Sequence, residues 1–208
     1  MRVNEFLESI DQLLLGDSPR ALIGIVGKPG VGKSTLVEII KSRIPGDEVS
    51  IISLDGYHLS NEVLEIIDAR DRKGAPDTFD RIRFAELLRG VKSARTDIYF
   101  PIFHREIEAS VEDEGVVPAA ARVVIVEGNY LISSDFGWNK VAALLDQSYY
   151  LELDDEIRLE RLIERHVRYG KSAAAARDWA MGTDEANAKF IEQTRDHATG
   201  VIEISAGE

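Results

Sequence analysis

The sequence predicts an α/β protein, a three-layer α/β/α sandwich around a mainly parallel sheet. Two observations carry that expectation. Short apolar runs suited to strands fall at 21–26, 49–54, 97–103, 122–126 and 148–153, with a weaker one at 200–204. Helical patterns lie between most of them, at 34–44, 80–94, 137–146, 155–169 and 172–194. Strands alternating with helices pair in parallel, and right-handed crossovers bring their ends to one edge, where ligands bind. The second observation is a glycine-rich turn between the first of these strands and the helix that follows.

The first segment is helical. Val3, Phe6, Leu7, Ile10 and Leu14 form one stripe, while Glu5, Glu8 and Asp11 break up any signal-peptide core. This amphipathic helix occupies residues 1–18, closed by Gly16 and Pro19. Residues 21–26 (ALIGIV) then read as a buried parallel strand. The turn after it is Gly27-Lys28-Pro29-Gly30-Val31-Gly32-Lys33-Ser34, with the spacing Gly, four residues, Gly-Lys-Ser. That is the P-loop pattern: glycines let backbone N–H groups point at phosphate oxygens, Lys33 brings charge to the outer phosphates, and the Ser34 hydroxyl suits Mg²⁺. Leu36, Ile39, Ile40 and Ile44 continue as a helix, so the loop sits at a helix N-terminus. Residues 27–35 are therefore the expected nucleotide site. Thr35 stands where a dinucleotide fingerprint needs its third glycine. Residues 104–121 are acidic, hold Gly115 and Pro118, and read as a hairpin or excursion from the sheet.

Composition narrows the classes. The 208 residues suit one domain, 1–208, and 44% hydrophobic content supports a full core. The net charge of −12 argues against a nucleic-acid partner. No run is long and apolar enough for a membrane span, and the lack of cysteine removes disulfides and thiolate chemistry, which permits a cytoplasmic setting. A homodimer stays open.

Acids stand at two strand ends. Asp55 follows 49–54 and either begins a turn with Gly56 or serves as a base or metal-holding carboxylate. Glu127 follows the β-branched Val123-Val124-Ile125-Val126, as in a Walker B strand, and would reach Mg²⁺ directly or through water. Arg158, Arg161, Arg165 and Arg168 share one helix face, with Leu159, Leu162, Ile163 and Val167 opposite. In an acidic protein that stripe favours a lid, about 155–172, closing on a triphosphate, over a solvated face paired to Glu156, Glu160 and Glu164. Arg70, Arg72 and Lys73 precede Gly74-Ala75-Pro76-Asp77-Thr78-Phe79-Asp80. They are placed either to meet an anionic substrate or to remain surface charges, and Thr78 or Asp80 is the expected cap of the next helix.

Together the P-loop, LDGYHL, RKGAPDTFD, PIFHR, VEGNYL, RLIERH and DEANAKFIEQTR resemble the uridine kinase, phosphoribulokinase and bacterial pantothenate kinase superfamily, in particular its nucleoside/nucleotide kinase-like and fructose-transport-system kinase-like members. The resemblance runs over about residues 20–204 in family order. It implies the P-loop NTPase fold with a helical lid, and ATP- and Mg²⁺-dependent phosphoryl transfer to a hydroxyl of a nucleoside, sugar or pantothenate-like molecule. It implies Asp55 as general base, Glu127 and Ser34 at the metal, and Lys33, Arg161 and Arg165 at the phosphates. Tyr57, His58, Arg72, Lys73, Phe79, Arg105 and Asn129 fall in its acceptor-binding segments. Asn187 lies in a segment after the lid that lines the site in some readings. One departure stands out: His104 occupies a place where related sequences often carry Asp, so it either alters acceptor preference or is a surface histidine. Two rivals remain, a nucleotide-dependent switch and a non-catalytic metabolite-binding homologue. The absence of an Asn-Lys-x-Asp segment argues against the first, and the intact Lys33, Ser34, Asp55 and Glu127 against the second.

Overall fold

The computed structural model describes residues 1–16, 20–44 and 46–205. Among them, five strands form one parallel sheet in the order β2-β5-β1-β6-β7. These are β1 (Ala21–Val26), β2 (Val49–Ser53), β5 (Val123–Glu127), β6 (Gln147–Glu152) and β7 (Gly200–Glu203). β1 and residues 123–126 of β5 are apolar because both faces are covered. In β1, Ile23 and Ile25 face one core with α1 (Val3–Leu15) and α2 (Lys33–Arg43). Leu22 and Val26 face the other core, which holds Phe84, Leu88 and Val91 of α4 (Arg81–Ser93), Val141 of α5 (Asn139–Ala142) and Ile191 of α8 (Glu185–Glu192). That arrangement is the expected α/β/α sandwich.

The N-terminal stripe is helical as expected, with Val3, Phe6, Leu7 and Ile10 buried. The break expected at Pro19 lies outside the described residues. Among the described residues no helix is long and apolar enough to cross a membrane. Asp80, rather than Thr78, caps α4 by accepting from the Arg83 N–H at 3.0 Å. The Thr78 hydroxyl instead closes the preceding loop, accepting from Gly74 N–H at 2.9 Å and donating to the Ala75 carbonyl at 2.8 Å.

Three expectations need correction. The apolar run at 97–103 does not join the parallel sheet. It forms β3 (Ile98–His104), which pairs antiparallel with β4 (Ala109–Val117) in a separate two-stranded ribbon, irregular between Phe100 and Ile102. The excursion expected at 104–121 thus begins one strand earlier. The helix expected over 137–146 is only the single turn of α5. The long helix expected over 172–194 is divided into α7 (Ala173–Trp179), a π-helical turn at Ala180–Asp184, and α8.

The ribbon lies against the turn after β2. Gly56 has no room for a Cβ, because one built there collides with the Pro101 carbonyl. This close approach brings β3 and the residues beyond it to the C-terminal ends of β2 and β5.

Candidate active site

The loop between β1 and α2 needs glycine for definite reasons. Gly30 and Gly32 hold φ of 84° and 104°, a region that side chains disfavour. A Cβ on Gly30 would also press on the Arg158 carbonyl at 2.8 Å. Lys33 Nζ bends back over the loop, donating to the Gly27 carbonyl at 2.8 Å and the Lys28 carbonyl at 3.3 Å. Burial pulls the Lys33 pKa down to about 8, against the attraction of Glu127 and Asp55. Ser34 and Thr35 are exposed at the start of α2.

Lys28 turns away from the loop interior and pairs with Asp155 at 3.1 Å and Glu192 at 3.0 Å. Arg158 departs further from the expected phosphate-facing stripe. Its side chain is only 1% exposed and is held by Asp155 at 2.6 Å and Glu185 at 2.7 Å. Its Nη1 donates to the Pro29 carbonyl at 3.2 Å. Arg158 therefore joins the first turn of α6 (Asp155–Arg168) to the loop and to α8. The stripe is uneven beyond it. Arg161 lies beside Gly32 and, with Thr35, Leu36 and Ile39, lines a small hollow. Arg165 is half-buried, and its guanidinium makes no hydrogen bond among the described residues. Its pKa is lowered by burial and by Arg105, while Asp184 and Asp55 oppose the shift. Arg168 is exposed, and Val167, expected against the core, is 44% exposed.

The two strand-end acids converge. Ser53 and Glu127 are register partners across β2 and β5, and the Ser53 hydroxyl donates to Glu127 Oε1. The same hydroxyl accepts from the Asp55 N–H at 3.2 Å. Asp55 ends in an ion pair with Arg105, Oδ2 to Nη2 at 2.7 Å. Burial alone would raise the Asp55 pKa, but His58, Arg105, Lys33 and Arg165 outweigh it and hold the carboxyl below its usual value. Glu127 goes the other way, raised by burial and by the Asp55 charge. The sequence reading passed over Ser53, Asp155 and Glu185. A serine at a strand end and acids on a surface helix carry no distinguishing pattern.

On the acceptor side, His58 Nδ1 donates to the Asp55 carbonyl at 2.8 Å. Its ring lies 4.1 Å from Phe79 and 5.1 Å from Phe103. Burial lowers the His58 pKa, against the attraction of the Asp55 carboxylate. Lys73 Nζ donates to Asn61 Oδ1 at 2.8 Å and the Glu108 carbonyl at 3.2 Å. The loop before α4 is fixed from below: Tyr130 Oη donates to the Gly74 carbonyl at 2.6 Å, Asn187 Nδ2 to the same oxygen at 3.5 Å, and Trp138 Nε1 to the Pro76 carbonyl at 3.0 Å.

The structure thus brings Lys33, Asp55, Glu127, Arg105 and Arg165 into one electrostatic neighbourhood, with His58 and Lys73 beside it. Other expected residues turn elsewhere. Tyr57 and Phe79 are buried, Tyr57 edge-on to Phe84 and Phe79 against Tyr130 and Trp138. Arg72 pairs with Asp77, and His104 with Glu114 at 2.5 Å. Asn129 is half-buried in the turn after β5.

Comparison with known proteins gives the family and the fold. A protein of Schizosaccharomyces pombe provisionally named a uridine kinase is 35% identical over 191 residues, covering 86% of this chain and 81% of that one. The pantothenate kinase of Mesorhizobium japonicum is 32% identical over 162 residues, covering 73% of this chain and 51% of its own. The crystal structure of a protein provisionally assigned as a fructose transport system kinase, from Silicibacter sp. TM1040, superposes with a TM-score of 0.87 at 33% identity, covering 97% and 98% of the two chains. The family model described as Phosphoribulokinase / Uridine kinase matches residues 22–206, from β1 through the last described strand. The chain therefore belongs to the phosphoribulokinase/uridine kinase family, and its fold is that of a P-loop kinase.

Proposed function

We propose that this protein transfers the γ-phosphoryl group of ATP to a hydroxyl of a small metabolite, within one kinase domain whose α6 region acts as a lid. The observation that supports this most directly is the meeting of Lys33, Asp55, Glu127 and Arg165 at one edge of the sheet. Relatives named for uridine and pantothenate fit the same class, since both molecules offer a hydroxyl.

Each residue has a role that its surroundings favour. The loop 27–35 cradles the phosphates, with Lys33 at the outer ones. Arg161 and Arg165 come from the lid side, and the half-buried Arg165 has its donors uncommitted among the described residues. Asp55, held ionised by its cationic neighbours, accepts the proton of the acceptor hydroxyl. The acceptor oxygen then bonds to the γ-phosphorus as the bond to the β,γ-bridging oxygen breaks, and ADP leaves with that electron pair. Ser34 and Glu127 supply hard oxygen donors of the kind Mg²⁺ takes alongside phosphate oxygens, so the residues present fit that ion. Bound Mg²⁺ would neutralise charge on the β- and γ-phosphates. Ser53 keeps the Glu127 carboxylate in place.

The test is ADP release from ATP and Mg²⁺ over a panel of nucleosides, sugars and hydroxy acids. Asp55→Asn is expected to lower kcat by about a hundredfold or more with little change in thermal unfolding. An Asp55→Asn protein at full rate removes Asp55 as the base. A wild-type protein that fails to bind ATP removes the kinase reading itself.

A further inference from the structure

We propose that the acceptor is an anion, a hydroxylated carboxylate or phosphate ester, whose charged group is bound between Lys73 and Arg105 while its hydroxyl lies at Asp55. This inference rests on the kinase reading above and names the class of molecule that the site selects.

A chain of neighbouring side chains joins the two cations. Lys73 Nζ lies 5.4 Å from the centroid of the Phe103 ring. That ring is 5.1 Å from the His58 ring. His58 is bonded to the Asp55 carbonyl at 2.8 Å, and the Asp55 carboxylate is bonded to Arg105 at 2.7 Å. A continuous path of contacts therefore runs from Lys73 across Phe103 and His58 to Asp55 and Arg105. Both cations bear on the His58 ring and disfavour its protonation.

Neither cation is used up by the fold. Lys73 is half-buried, yet its contacts are neutral oxygens, and no carboxylate lies within ion-pair distance of it among the described residues. Burial lowers its pKa more than the nearby Glu108 charge restores it. A partly desolvated ammonium without a counter-ion is costly unless something else supplies the anion. Among the described residues Arg105 is paired only to Asp55, the group that must turn to the acceptor hydroxyl. Their side chains are 41% and 36% exposed, so the pair adds little stability of its own. An anionic acceptor gives Arg105 a second partner and leaves Asp55 charged and close to the hydroxyl. A neutral nucleoside or free sugar can accept hydrogen bonds from these cations but offers neither a counter-charge.

The experiment uses the full chain with ATP and Mg²⁺ and acceptors in matched pairs: glycerate and glycerol, pantothenate and pantothenol, ribose 5-phosphate and ribose, with uridine as a neutral nucleoside. The expected result is at least tenfold higher kcat/KM for the anionic member of a pair, with carboxylate and phosphate arms telling the two anion types apart. Lys73→Gln should raise the acceptor KM at least tenfold with the ATP KM within twofold, and Lys73→Arg should restore it. Arg105→Gln should raise KM and also lower kcat. Equal use of neutral and anionic members, or no change of acceptor KM in Lys73→Gln, overturns the proposal. If no acceptor turns over, each is tested for raising the thermal midpoint beyond that of the complex with a non-hydrolysable ATP analogue. A rise from anions that Lys73→Gln abolishes supports the proposal. No such rise, with the ATP analogue still bound, overturns it, whereas loss of ATP-analogue binding overturns the kinase reading instead.

Discussion

Ser53 and Glu127 face each other across the β2–β5 ladder, and the serine hydroxyl donates to the Glu127 carboxylate while accepting from the Asp55 backbone. One small side chain thereby links the strand end proposed for metal with the turn proposed for proton transfer.

Replacing it with Ala should therefore disturb metal use more than folding. Hydrogen bonds to charged groups contribute about 1.5–3 kcal/mol, so Ser53→Ala should raise the Mg²⁺ concentration for half-maximal activity by about tenfold or more. The lost donor also lets the already raised Glu127 pKa climb further. Since a protonated carboxyl binds Mg²⁺ poorly, the defect should deepen as pH falls. Ser53→Thr keeps the hydroxyl and should behave as the parent. Mg²⁺ titrations of ADP release at several pH values measure this, and an unchanged half-saturation point refutes it.

Lys33 gives a prediction with two opposite signs. Its pKa is pulled down to about 8 from the usual 10.5, chiefly by burial. As pH rises through about 8, the free protein loses the ammonium, and kcat/KM for ATP should fall. Between about 8 and 10.5 the unfolded chain holds a proton that the folded chain does not, so this group makes stability rise with pH in that window. Lys33→Met should remove both trends. Parallel pH profiles of ATP kinetics and urea unfolding for the two proteins settle the matter, and identical stability profiles would count against a buried, depressed Lys33.

Arg158 should prove structural before it proves catalytic. Removing one member of a buried ion network costs about 3–5 kcal/mol, and the low end applies because Asp155 and Glu185 are 54% and 29% exposed. Arg158→Ala should lower the urea midpoint accordingly and raise the ATP KM through the freed Pro29 carbonyl. Arg195→Ala, which removes an exposed pair with Glu152, is the control and should leave the midpoint in place. Equal midpoints for the two variants contradict the role given to Arg158.

The features legible in the sequence are those set by local chemistry. The Gly27–Ser34 spacing demands positive φ and a helix start, and both occur, at Gly30, Gly32 and Lys33. Parallel strands at 21–26 and 123–126 show as unbroken apolar runs because helices cover both sides. Residues 97–103 are also mainly apolar, though Pro101 marks an edge position, and Tyr99 is 58% exposed in a ribbon outside the sheet. An apolar run reports burial somewhere, not its partner strand. Helical spacing likewise put Arg158 on a face with Arg161 and Arg165. It could not reveal that Asp155, Glu185 and the Pro29 carbonyl surround that one position. Tyr57 and Phe79 show the same limit, since aromatic residues beside a catalytic turn serve its foundation as readily as its surface.

The buried Arg158 also sets how the helix beyond it can move. Arg158 is fixed to the Pro29 carbonyl, so if α6 moves as the proposed lid, this anchor beside the Gly27–Ser34 loop is its fulcrum. Arg165 lies seven residues further on, about 10 Å along the axis at 1.5 Å per residue. A tilt of roughly ten degrees about Arg158 carries Arg165 by about 2 Å, enough to make or break a hydrogen bond. Arg161, nearer the fulcrum, travels less than half as far. A lid turning on that anchor would thus gear its two arginines unequally, carrying Arg165 farther than Arg161.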